Sequence, residues 1–99
     1  MNYSLHTPEE ISQILAIRLK ELRLLKRLKR STLAERSGVT QASLKRFEQT
    51  GKVSMENFLK LVMALGRLDE METLLRPARA RSIQELELQE KKTPRRGSI

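Results

Sequence analysis

Four side chains, Gln41, Ala42, Lys45 and Arg46, lie three to eight residues after a glycine at position 38. A glutamine amide can pair with adenine through two hydrogen bonds, an arginine guanidinium can do the same with guanine, and a short alanine leaves room for a thymine methyl group. Free backbone N–H groups at the start of a helix carrying these residues would attract a phosphate. These residue types therefore indicate contact with DNA bases. The alternative is an ordinary surface helix whose polar side chains are merely solvated.

The residues around this segment predict two short helices joined by a tight turn. Gly38 can adopt the left-handed conformation that ends a helix sharply. Thr40 is placed to cap the next helix, and Val39 and Leu44 occupy the positions of a hydrophobic staple. We predict helices over residues 31–37 and 41–49, the second burying Leu44 and Phe47. This is the arrangement that places a recognition helix in the major groove of DNA.

The remaining pattern predicts an all-α domain of five helices over residues 7–76. Thr7 can cap the first helix, Pro8 suits its first position, and Glu10 can complete a capping box. This helix is predicted to run to residue 26 or 27, and its apolar stripe is expected to face the core: Ile11, Ile14, Leu15, Leu19, Leu22 and Leu25.

Two further helices are predicted over residues 55–65 and 68–75. Ser54 caps the first of them, Val53 and Phe58 form a second staple, and Gly66 ends the helix. The last helix is expected to be buried through its apolar side chains: Leu68, Met71, Leu74 and Leu75.

Positive charge is concentrated on the same part of the chain. From Arg18 to Lys52 there are eleven basic and three acidic residues, a net charge of +8 that equals the formal charge of all 99 residues. Such a field suggests a polyanion partner. The alternatives are a solvated basic face, a basic amphipathic helix on a membrane surface, and RNA. Readers of single-stranded RNA usually stack bases on exposed aromatic side chains, whereas Phe47 and Phe58 fall on core positions.

Composition limits the remaining classes. The chain has no cysteine, no signal peptide is apparent, and no apolar run approaches the roughly 18 residues of a membrane span. We therefore expect a cytoplasmic protein. The single histidine, His6, lies before the first helix, and no glycine-rich phosphate loop or metal-ligand cluster is visible. We expect no enzymatic activity, no catalytic residue, no metal and no cofactor.

From Leu19 to about Leu65 the chain resembles the Xre-type, lambda-repressor-like helix-turn-helix family. The resemblance rests on Leu22-Arg23, Leu28, Leu33-Ala34, Gly38-Val39-Thr40 and Phe47-Glu48. It implies an ion pair between Arg23 and Glu48. It also implies base contacts by Gln41, Ala42 and Arg46, and phosphate contacts by Arg23, Arg30, Thr40, Gln49 and Lys52. Lys45 is added to the base-contacting set because we expect the helix to expose it beside Arg46.

One position departs from the pattern of that family. Its second helix usually opens with Thr-Gln or Ser-Gln, whereas this chain has Lys29-Arg30. We therefore place the start of the second helix at Ser31. By the resemblance, Arg30 would contact phosphate or clamp Gln41, the first residue of the recognition helix.

A narrower resemblance points to HipB-type antitoxins. It rests on Lys45-Arg46-Phe47-Glu48, Thr50-Gly51 and Leu65-Gly66-Arg67-Leu68-Asp69. It implies a repressor that binds a palindromic operator as a homodimer and holds a HipA-like kinase toxin. The alternatives are a generic Xre-type regulator without a toxin partner, and a protein-interaction module that only sequesters a partner.

Residues 77–99 are predicted to form an extension to the domain. Pro77 breaks the chain, and Ser82 and Glu85 can form a capping box at the start of a short helix over about residues 82–90. Its Leu86 and Leu88 have little core left to join, so they could pack on a second subunit or another protein. The basic residues 91–99 are expected to be disordered. Ser98 follows two arginines as in a basophilic kinase site, a short match that also arises by chance.

Overall fold

The computed structural model describes residues 6–77, which form helices and no strand. The helices are α1 Pro8–Leu25, α2 Arg30–Ser37, α3 Gln41–Thr50, α4 Met55–Ala64 and α5 Leu68–Glu72. The predicted all-α fold with five helices is confirmed for this range. Within it, no helix is both long enough and apolar enough to cross a membrane. The helix predicted over residues 82–90 and the tail over residues 91–99 lie outside the described residues.

The predicted helix starts are present with the expected capping hydrogen bonds. Thr7 Oγ1 accepts from the Glu10 backbone N–H at 3.1 Å, and the Thr7 N–H donates to Glu10 Oε1 at 2.9 Å. This reciprocal pair is the predicted capping box. Thr40 and Ser54 cap α3 and α4 by accepting from backbone N–H groups three residues further along, at 3.0 and 3.1 Å.

The turn before α2 is built without a glycine. Arg27 adopts a left-handed conformation with φ of +58°, and the Leu28 N–H donates to the Arg23 carbonyl at 3.0 Å. Helix α1 therefore ends at Leu25, before the predicted residue 26 or 27. Helix α2 begins at Arg30, one residue before the predicted Ser31, and Lys29 precedes it with extended backbone and no capping side chain.

The core lies where α1, α2, α3 and α4 meet. Phe47 contacts Phe58 edge to face, with ring centroids 5.8 Å apart and an angle of 73° between the rings. Such edge-to-face pairs add to the stabilisation from burial. The buried apolar cluster comprises Ala16, Leu19, Leu33, Val39, Leu44, Phe47, Leu61 and Leu65.

The predicted core-facing stripe of α1 is wrong in part. Leu19 is buried, but Leu15 is 36% exposed and Leu25 is 79% exposed. The buried positions are Ala16, Leu19 and Arg23, at helical spacings of three and four. The α1 backbone meets the end of α3 at Gln13, where a Cβ on Gly51 would lie 3.0 Å from Gln13 N, and the face that packs on the core is offset from Leu15 and Leu25.

The predicted burial of α5 is also wrong. This helix ends at Glu72 and contains no buried residue, although Leu68 and Met71 are partly covered. Leu74 is 59% exposed and Leu75 is 92% exposed. Leu75 also has a left-handed φ of +67°, so the backbone leaves the helix before these leucines can face the core.

The other two boundaries differ from the prediction by one residue. Helix α3 continues to Thr50 and ends at Gly51, whereas α4 ends at Ala64 because Leu65 and Gly66 already form its C-terminal turn. Gly38 and Gly66 have positive φ values of +81° and +77°, as expected for glycines that end helices.

Candidate nucleic-acid interface

The exposed face of α3 carries the side chains predicted to read DNA bases. Gln41, Ala42, Lys45 and Arg46 are all exposed. Since successive residues turn by about 100° around a helix, these positions lie on one side of it. The opposite side is anchored in the core, where Leu44 is 0% exposed. We call the exposed side of these four residues the reading face.

The turn between α2 and α3 is held by hydrogen bonds to a serine hydroxyl. Ser37 Oγ donates to the Ala34 carbonyl at 3.3 Å and accepts from the Val39 N–H at 3.1 Å. Val39 itself is buried in the core. The direction in which α3 leaves the turn is therefore fixed by both local hydrogen bonds and packing.

A second hydroxyl organises the end of α3. Thr50 Oγ1 donates to the Arg46 carbonyl at 2.7 Å and accepts from the Lys52 N–H at 3.1 Å. This arrangement links the backbone of Lys52 to the last turn of the helix. The side chains of Gln49 and Lys52 are exposed beside the reading face. Both turns, Ser37-Gly38 and Thr50-Gly51, pair a hydroxyl residue with a following glycine.

Arg23 of α1 and Glu48 of α3 form the expected ion pair. Arg23 donates from Nε to Glu48 Oε2 at 2.7 Å and from Nη2 to Oε1 at 3.0 Å. Its Nη1 donates to the Leu28 carbonyl at 2.8 Å. Arg23 therefore connects α1, the turn before α2, and the recognition helix.

Arg30 shares the same carboxylate, a contact that the sequence analysis did not predict. Its Nε donates to Glu48 Oε1 at 2.9 Å, and 32% of its side chain remains exposed. The Glu48 side chain is 1% exposed, whereas that of Arg23 is 6% exposed. We call these three residues the arginine cluster. With two guanidinium groups and one carboxylate, the arginine cluster has a net positive charge. Part of this charge is exposed to solvent on Arg30.

The arginine cluster keeps Glu48 ionised. Burial by itself raises the pKa of the Glu48 carboxyl, but the hydrogen bonds and charges of Arg23 and Arg30 outweigh it and hold the pKa below its usual value. The carboxylate can thus accept hydrogen bonds from both arginines at neutral pH.

The predicted phosphate contacts differ in their access to a ligand. Thr40, Gln49 and Lys52 are exposed, and Arg30 is partly exposed. The Thr40 hydroxyl accepts from the Ser43 N–H, so its own proton remains available to a phosphate. Arg23 is 5% exposed, which suits its ion pair better than the phosphate contact also predicted for it. That contact stays a prediction.

The sequence model described as helix-turn-helix matches residues 19–71, just over half of the chain. This chain belongs to the helix-turn-helix family. The match runs from Leu19 in α1 to Met71 in α5 and contains the reading face and the arginine cluster. The helix-turn-helix protein is accordingly a DNA-binding transcription regulator. Comparison with curated proteins gave no match.

Proposed function

We propose that this helix-turn-helix protein is a repressor that reads a specific double-stranded DNA sequence with Gln41, Ala42, Lys45 and Arg46. The observation that carries the proposal is the reading face, on which all four side chains are exposed while the other side of α3 is anchored by buried Leu44 and Phe47. A helix held in this way can enter the major groove without losing its contacts to the core.

Phosphate contacts beside the reading face would fix the position of the protein on the duplex. Thr40 lies at the start of α3, and Gln49 and Lys52 lie at its end, so the two groups could contact the backbone on either side of the groove. Arg30 is the member of the arginine cluster that could reach a phosphate. Such contacts supply affinity for any sequence, whereas the reading face supplies preference for one.

The proposed regulator acts as a homodimer on a palindromic operator. One reading face covers only a few base pairs, and two recognition helices related by a twofold axis would enter successive major grooves about 34 Å apart. The operator is proposed to lie upstream of the gene that encodes the protein, so that the repressor regulates its own synthesis.

An antitoxin role is the proposed biological setting. It is supported by the resemblance of Lys45-Arg46-Phe47-Glu48 and Leu65-Gly66-Arg67-Leu68-Asp69 to HipB-type antitoxins. In this setting the protein would also bind a HipA-like kinase toxin in the cytoplasm. A generic Xre-type regulator would share the same DNA-binding domain and lack that partner.

DNA recognition is tested by a gel shift with the duplex upstream of the gene itself. Competitors are a shuffled DNA duplex and double-stranded RNA of equal length, each at several salt concentrations. We expect tighter binding to the upstream duplex than to both competitors. Equal binding to the shuffled duplex would contradict sequence-specific reading, and failure to bind any duplex DNA at low salt would favour the protein-interaction module.

The antitoxin role is tested separately by co-expression with the product of the adjacent gene. Stable co-purification, together with release of growth arrest when both proteins are present, is the expected result. If the product of the adjacent gene neither binds this protein nor arrests growth, the antitoxin role is contradicted and a generic repressor is favoured. The gel-shift result does not depend on this outcome.

A further inference from the structure

An apolar groove runs between α1 and the pair formed by α4 and α5, on a surface that the reading face does not use. Its volume is about 380 Å³. We call it the apolar groove; its apolar lining comes from Leu15, Leu22 and Leu25 of α1 and from Phe58, Val62 and Leu65 of α4 and its C-cap.

The floor of the apolar groove is part of the core itself. Leu65 is 2% exposed and belongs to the buried cluster, while Phe58 packs against that cluster and is only partly buried. At the rim, Leu25 is 79% exposed. Apolar side chains along the rim, Leu15 and Leu25, are therefore exposed beside the covered core. A cavity of about 150 Å³ can hold a benzene-sized group, so there is room here for more than one aliphatic side chain.

The chain beyond Pro77 begins only a few residues along the sequence from the apolar groove. Met71 and Glu70 of α5 line the apolar groove, and Pro77 follows six residues after Met71. Six residues also separate Pro77 from Ile83, a link that spans up to about 20 Å when extended. That reach matches about two helix diameters, so residues 83–88 can cover the groove of their own chain.

The composition of that segment complements the domain. Ile83, Leu86 and Leu88 are apolar, and residues 82–90 contain three glutamates and no basic residue. Residues 6–77 contain fourteen basic and nine acidic residues. The groove lining itself is neutral, with Arg67 hydrogen-bonded to Glu70 on one side and Arg18 and Glu21 on α1 opposite, so the attraction comes from the domain as a whole. An acidic segment with apolar side chains is thus attracted by the net charge of the domain while its leucines fit the groove.

We propose that residues 83–88 dock in the apolar groove of the same chain and complete its hydrophobic core. The docked segment is extended instead of helical, because only the alternation of an extended chain places Leu86 and Leu88 against the floor and Glu85 and Glu87 towards the rim. This role is independent of DNA reading, because the apolar groove and the reading face are formed by different surfaces. Burial of the two leucine side chains stabilises the domain through the hydrophobic effect.

Disulfide trapping in the full-length protein tests the proposal, since the chain has no cysteine of its own. Pairs combine Arg18→Cys or Leu25→Cys at the rim with Glu85→Cys or Glu87→Cys in the segment. Lys45→Cys on α3 combined with Glu87→Cys is the matched control. We expect a disulfide within one chain for at least one rim pair, with a yield that is independent of protein concentration, and no such disulfide for the control.

A second set of variants asks whether the leucines cause the docking. Leu86→Asp with Leu88→Asp should abolish the rim disulfide, whereas Ser82→Asp with Gln89→Asp adds the same charge outside residues 83–88 and should retain it. Circular dichroism of each variant checks that the helices are intact. Disulfides only between chains would overturn the proposal in favour of a second copy as the occupant. Absence of any rim disulfide, or equal trapping of the control pair, would overturn it as well.

Discussion

Gly51 lies against the backbone of Gln13, so the end of the recognition helix and α1 are in direct main-chain contact. A Cβ atom at position 51 would lie 3.0 Å from Gln13 N and 3.1 Å from both Gln13 Cα and Ser12 C. The φ of Gly51 is +81°, a conformation that other residues adopt only with strain. Two independent constraints therefore require glycine here, and together they set how closely α3 approaches α1.

Gly51→Ala is expected to destabilise the protein more than Gly38→Ala. Both glycines have the same φ of +81°, but a Cβ at Gly38 would meet nothing within 4 Å. The left-handed conformation alone costs about 1–2 kcal/mol for a residue with a Cβ. Gly51→Ala should exceed that loss, because its Cβ also collides with backbone atoms. Urea unfolding of both variants measures the difference, and equal losses would show that the contact with α1 relaxes without cost.

Glu48→Ala is expected to lower the free energy of unfolding by about 3–5 kcal/mol, the usual cost of removing one partner from a buried ion pair. The substitution leaves Arg23 buried without its carboxylate and frees Arg30. The control is Glu56→Ala, which removes a glutamate whose side chain is 80% exposed and pairs with Lys60. Exposed pairs of this kind contribute about 0–1 kcal/mol. A loss at Glu48 no larger than that at Glu56 would contradict the structural role of the arginine cluster.

Acid should weaken the wild-type protein more than Glu48→Gln. Since the folded-state pKa of Glu48 is lowered, its contribution to stability is complete above the pKa of an unfolded glutamate, about 4.3. The contribution is lost as pH falls from there through the lower folded-state pKa, because the unfolded chain binds a proton that the folded protein does not yet bind. The measurement is unfolding free energy against pH from neutral to acid. If the unfolding free energies of the two proteins fall in parallel towards acid pH, other carboxyl groups cause the loss of stability.

Arg46→Ala is expected to cost about 1–3 kcal/mol of binding free energy on the operator and to relax sequence preference at the contacted base pair. Arg46 is exposed on the reading face, so the substitution should leave folding unchanged. Binding titrations against single-base operator variants measure the effect. Arg67→Ala removes an arginine that pairs with Glu70 on α5 and serves as the control. Unchanged affinity and preference for Arg46→Ala would remove it from the base-reading set.

Lys52→Ala should weaken binding to all duplexes alike. Loss of one phosphate contact lowers the slope of log affinity against log salt concentration by about 0.9. Lys60→Ala removes the same charge from α4 and should leave the slope unchanged. Titrations at several salt concentrations compare the two variants. If both slopes equal that of the wild type, Lys52 does not contact the backbone.

Local sequence patterns predicted the helix starts well because the causes are local. Thr7 and Glu10 satisfy each other's backbone groups, and Thr40 caps α3, within three residues along the chain. The left-handed turn at Gly38 likewise follows from the residue itself. These features need no knowledge of distant contacts, so they could be predicted from residue types and spacing.

The errors arose where a distant contact decides the outcome. Helix α1 has apolar residues on more than one face, and its buried face depends on the approach of Gly51 to Gln13. The partner of Arg30 lies 18 residues further along the chain and could not be inferred from neighbouring residues. The resemblance to a known family supplied the pairing of Arg23 with Glu48, which composition and periodicity alone would not have predicted.

The single carboxylate shared by Arg23 and Arg30 also constrains how this sequence can vary. A chain that lost the carboxylate at Glu48 would retain two arginines without their acceptor, so neutral substitution at one position alone is disfavoured. Among related sequences, positions 23 and 48 should therefore change together. Arg30 is expected to vary first, because part of its charge is already solvated and its loss leaves the pair of Arg23 and Glu48 intact.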